Sequence, residues 1–96
     1  MIDSVKVVYG FSVGKVSFNQ MIERLSLVAK AHHADFDLRL TKNSVTINVY
    51  PFKHSSAKEI SEKDGAEIMR SIIYLCENLI DDGVLWSVEM SSALPF

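Results

Sequence analysis

The chain has 96 residues, 48% of them hydrophobic and 23% charged, which describes one globular domain over residues 1–96, with room for one small core and no second one. Ten Lys+Arg against twelve Asp+Glu leave a formal net charge of −2, so there is no general electrostatic attraction to nucleic acid or to an anionic membrane. The single cysteine, Cys76, excludes an intrachain disulfide and a cysteine-based zinc ribbon. No stretch approaches the ~20 apolar residues of a membrane span, and Met1 to Lys6 lack a basic-then-apolar signal pattern, so the expectation is a cytoplasmic protein.

Val5, Val7, Tyr9 and Phe11 recur at spacing two and predict a first strand. Ser17 is placed to cap a helix. Phe18, Met21, Ile22, Leu25, Val28, Ala29 and His32 then recur at spacings of three and four, which predicts an amphipathic helix over residues 17–32. Phe36, Leu38 and Leu40 alternate with Asp37, Arg39 and Thr41. Val45, Ile47 and Val49 alternate with Thr46, Asn48 and Tyr50. With the short polar stretch at residues 41–44 between them, these make an antiparallel hairpin with one apolar face. Pro51 should end its second strand or force a bulge.

Ser61 and Asp64 have capping-box spacing, with Asp in place of the usual Glu. Ala66, Met69, Ile72, Ile73, Cys76, Leu79 and Ile80 predict a second helix with one apolar face. Gly83 suits the position past its end, where φ is often positive. Val84, Trp86, Val88 and Met90 alternate with polar neighbours and with Leu85, predicting a last strand over 84–91 with Trp86 in the core. The order is β-α-β-β-α-β. The fold class is therefore α+β, with two helices packed on one face of a mainly antiparallel four-stranded sheet.

His32-His33 is the most informative pair for chemistry. Adjacent helical residues point about 100° apart, so the pair is badly placed to chelate one metal and well placed to send one ring inward and one toward a cleft. The helix end favours the imidazolium and burial favours the neutral ring, an opposition that suits proton transfer. Composition alone favours the plainer reading, in which His32 plugs the helix end and His33 is solvated. His54 follows the hairpin, two residues beyond Phe52. Asp64 is ambiguous: at the third position of a helix it stabilises the dipole, and no further role is needed to explain it. Cys76 sits on an apolar stripe and reads as core. No phosphate loop and no HExxH is present, and the central strand, residues 44–49, lacks the aromatic and basic motif of an RNA-binding sheet.

The run from Phe18 through Ala31-His32-His33-Ala34-Asp35-Phe36, then Lys42 to Val49, then Ile60-Ser61-Glu62-Lys63-Asp64, resembles the pterin-4a-carbinolamine dehydratases over roughly residues 7 to 80. Those proteins carry an aromatic-led helix ending in His-His-Pro before an acid and an aromatic, a β-hairpin leading to a third histidine, and a helix opened by Leu-Ser/Thr-x-x-Asp. The resemblance implies dehydration of a 4a-hydroxytetrahydropterin without a metal or other cofactor. His32, His33 and His54 would be the catalytic residues, and Asp35, Phe36, Phe52 and Asp64 would line the pterin. Ala34 stands where the family has proline. Aligning the hairpin puts Phe52 at the third histidine, whereas counting back from Asp64 puts His54 there. The family's first helix has no counterpart, and the strand over 84–91 is additional. The resemblance also implies a homo-oligomer. Two alternatives are a non-catalytic oligomeric binding or assembly module on the same scaffold, with a protein partner, and an unrelated ferredoxin-like interaction domain. Pairing of the last strand within the main sheet favours the last of these.

Overall fold

The computed structural model describes residues 2–11, 16–52 and 60–91. Its elements are β1 (Ser4–Phe11), α1 (Phe18–Ala31), β2 (Ala34–Leu40), β3 (Ser44–Pro51), α2 (Glu62–Leu79) and β4 (Gly83–Ser91). The strands form one sheet in the order β2-β3-β1-β4, and every neighbouring pair is antiparallel. This is the α+β arrangement that the pattern predicts, with the topology of the ferredoxin-like split β-α-β. The last strand joins the main sheet beside β1, rather than standing apart from it.

The helices cover one face of the sheet. Val5, Val7 and Tyr9 of β1 and Val45, Ile47 and Val49 of β3 are buried beneath them, with Met21, Leu25, Ile68, Ile72 and Cys76 from the helices. Both N-caps form as the sequence indicates: Ser17 Oγ accepts from the Gln20 amide at 3.3 Å and Ser61 Oγ from the Asp64 amide at 3.1 Å. Such a cap satisfies one of the free amides of a first turn, for about 1 kcal/mol. Pro51 is the final residue of β3, where its missing N–H is least costly.

Several details depart from the periodicity. The buried stripe of α1 is Met21, Leu25 and Ala29, while Phe18 and Ile22 are exposed. In α2 the stripe is Gly65, Ile68, Ile72, Leu75 and Cys76, so Ile68 and Leu75 replace Ala66, Met69, Ile73 and Leu79 as its deepest members. Trp86 is not in the core. Ser87 pairs with Val8 and Leu85 with Tyr9, so Trp86 is the extra residue of a β-bulge. Its indole lies over Gly10, where any Cβ would collide with the ring. Gly83 opens β4 instead of ending the helix with a positive φ. There the ring of Tyr9 occupies the space a side chain would need.

Candidate functional site

The ends of the two helices meet at the candidate site. α1 stops at its C-cap His32, whose amide donates to Ala29 O at 3.1 Å, and the His33 amide donates to Lys30 O at 3.3 Å. His33 has φ 51°, the only non-glycine residue with positive φ among those described. It occupies the left-handed position that glycine usually takes after a helix, and it swings the chain into β2. The two imidazoles therefore sit in different settings. His32 is held at 14% side-chain exposure, whereas His33 is exposed.

α2 presents its first turns to His32. His32 Nδ1 lies 3.3 Å from Asp64 Oδ1. Glu67 follows Asp64 by three residues and so shares its side of the helix. Ligating atoms of His32, Asp64 and Glu67 all lie within 4.8 Å of one another. Asp64 thus does two things at once. Its amide is capped by Ser61, and its carboxylate faces the end of the other helix. The sequence reading does not single out Glu67; the spacing Asp64-x-x-Glu67 at a helix start places it on the same side as Asp64, but only the packing shows that this side faces His32.

The remaining candidate residues are spread over the fold. Asp35 and Phe36 are successive residues of β2, so their side chains leave on opposite faces. Phe36 packs against the core on the helix side. Asp35 is exposed on the outer face, opposite Tyr50 on β3, and its Oδ1 accepts from the Phe36 amide at 2.8 Å. Phe52 is exposed just beyond β3. His54 lies outside the described residues. Of the seven residues predicted from the sequence, the contacts join His32 to Asp64.

Two depressions lie elsewhere. One of about 540 Å³ sits on the outer sheet face, lined by Lys6, Asp37, Leu38, Arg39, Thr46 and Asn48. The buried Asn48 Oδ1 has no hydrogen-bond partner there among the described residues. Beside it the Tyr50 hydroxyl donates to Asp37 Oδ1 at 3.3 Å. Burial, then the negative charges of Asp37 and Asp35, hold its phenol above the usual range. The second, about 350 Å³, is lined by Gly10, Phe11, Asp82, Val84 and Trp86. Neither is lined by His32 or His33. Cys76 is buried, and burial pushes its thiol up to about 12. It stays protonated at neutral pH and is no nucleophile.

Comparisons with family models, curated proteins and solved structures give no match. Among the described residues no helix is long and apolar enough to cross a membrane. What the chain does must be argued from its own residues.

Proposed function

We propose that this chain is a self-associating interaction module whose partner at the edge strand β4 is a second copy of itself. The observation that carries the reading is the exposure of β4. Val84, Leu85, Trp86 and Met90 are 63, 40, 55 and 38% exposed, in a strand whose only charged residue is Glu89. A nine-residue strand runs about 30 Å, and among the described residues its outer side has no strand partner, which leaves a row of backbone donors and acceptors open to pairing. The opposite edge contrasts with it. β2 carries Asp35, Asp37 and Arg39 on its outer face, the kind of charge that blunts an edge against pairing. Pairing of two β4 strands about a two-fold axis would join two sheets into one and cover the apolar side chains. Light scattering on a sizing column tests this. The wild type should run as a dimer and Leu85→Lys as a folded monomer, because the new charge enters the seam. A wild type that stays monomeric across the accessible concentration range sinks the reading.

A second reading, a metal-independent pterin-4a-carbinolamine dehydratase of the cytoplasm, is favoured by one contact, His32 to Asp64 at 3.3 Å. In it Asp64 orients the imidazole, and His32 protonates the departing 4a-hydroxyl. Water leaves, and a second base takes a ring-nitrogen proton to give the quinonoid dihydropterin. A spectroscopic dehydration assay decides the matter. The wild type should exceed the spontaneous rate, and His32→Gln should lose roughly 10²–10⁴-fold of that acceleration. A wild-type rate equal to the spontaneous one removes the dehydratase.

A further inference from the structure

We infer that His32, Asp64 and Glu67 form a binding site for a divalent transition-metal ion. The inference does not depend on either functional reading above.

The ligands come from two elements that are far apart in sequence. His32 caps the end of α1, and Asp64 and Glu67 stand one turn apart on α2. Their donor atoms lie within 4.8 Å of one another. In a formed site, with metal–ligand bonds of about 2.0–2.2 Å, neighbouring donors are about 3–4 Å apart. The remaining gap is small, and it falls within the reach of the two carboxylates. Both are on partly exposed side chains with torsions free to turn. The imidazole is the fixed member, held at low exposure by the helix end.

Charge supports the same conclusion. Two carboxylates face one another's neighbourhood, and among the described residues no lysine or arginine pairs with either. A cation between them relieves their repulsion and takes the imidazole lone pair as its third bond. The negative C-terminal end of α1 and the positive N-terminal end of α2 meet here and offset one another, so the attraction for a cation comes from the two carboxylates. One nitrogen and two carboxylate oxygens suit Zn²⁺ and Mn²⁺ better than Ca²⁺, which takes six to eight oxygens, or copper(I), which prefers sulfur. Three protein ligands leave positions for water, the arrangement of an open site rather than a closed structural one.

Equilibrium dialysis of metal-stripped protein against Zn²⁺, followed by elemental analysis, tests the site. The wild type should retain one ion per chain. Glu67→Gln keeps the size and hydrogen-bonding capacity of the side chain and should weaken binding by about tenfold or more, as should His32→Gln. His33→Asn tolerates the same backbone and should bind as the wild type does. Wild-type retention by Glu67→Gln, or equal loss in His33→Asn, overturns the inference. A second measurement needs no variant. Mn²⁺ added to isotope-labelled wild type should broaden the amide signals of residues 31–34 and 63–68 first. Broadening centred elsewhere, or none, also overturns it.

Discussion

His33, a candidate for chemistry, also carries a conformational role. Its φ of 51° lies in a region that costs an ordinary side chain roughly 1–2 kcal/mol and glycine nothing. Histidine is among the residues that tolerate it best, with asparagine and aspartate. The second member of the histidine pair is thus placed where the chain leaves α1 for β2, and its ring is exposed. This predicts that His33→Gly stabilises the protein by about 1 kcal/mol, the relief of backbone strain less the extra freedom of an unfolded glycine. In a domain this size that is a rise of about 4–8 °C in melting temperature. A thermal or urea titration reads it directly, and a loss of stability would mean that the ring makes contacts worth more than the strain. Gly83 teaches the converse. Glycine after a helix suggests a left-handed turn, yet here its empty side chain makes room for the Tyr9 ring. Local pattern identifies that a glycine is needed, while the reason comes from a residue 74 positions away in sequence, the difference between 83 and 9.

At the level of elements, the number, type and order of helices and strands were legible because each has a clean period. β2 and β3 alternate cleanly, β1 does so except at Val8, and both helices open on a serine cap whose hydrogen bond is present. What the period cannot supply is which of two overlapping apolar stripes faces the sheet. In α1, Phe18 and Ile22 continue one stripe and Met21, Leu25 and Ala29 another, and the helix is rolled so that the second is buried. β4 fails for a different reason. Val84, Trp86, Val88 and Met90 alternate in sequence, but the bulge at Trp86 breaks the pleat. Val84, opposite Gly10, and Trp86, over Gly10, belong to the outer face; Val88, opposite Val7, and Met90, opposite Val5, belong to the helix face. A bulge leaves no mark in an alternating string, because its cause lies in the partner strand. The candidate site was legible in half. Ser61-x-x-Asp64 marked the start of α2, and His32 marked the end of α1. That the two ends meet follows from packing both helices on one sheet face, and the role of Glu67 emerges only then.

For the whole molecule the deciding feature is the asymmetry of its two sheet edges. α1 packs against β2, and α2 packs against β1 and, less extensively, against β4. On β4, Leu85 and Met90 face the helix side and remain exposed. A single chain therefore buries its central strands well and its last strand poorly, which leaves stability to be gained from a second copy. If folding is completed in a dimer, unfolding separates two chains, and stability depends on protein concentration by mass action. Each tenfold increase in concentration adds about 1.4 kcal/mol per dimer, or about 0.7 kcal/mol per chain. With 1 kcal/mol worth about 4–8 °C in a domain of this length, the melting temperature should climb by about 3–6 °C per decade of protein concentration. Leu85→Lys should melt lower and at a temperature that does not move with dilution. The measurement is a dilution series by calorimetry or circular dichroism, and a wild-type midpoint that stays fixed across it would show that β4 is stable at an open edge and that its apolar side chains have a different use.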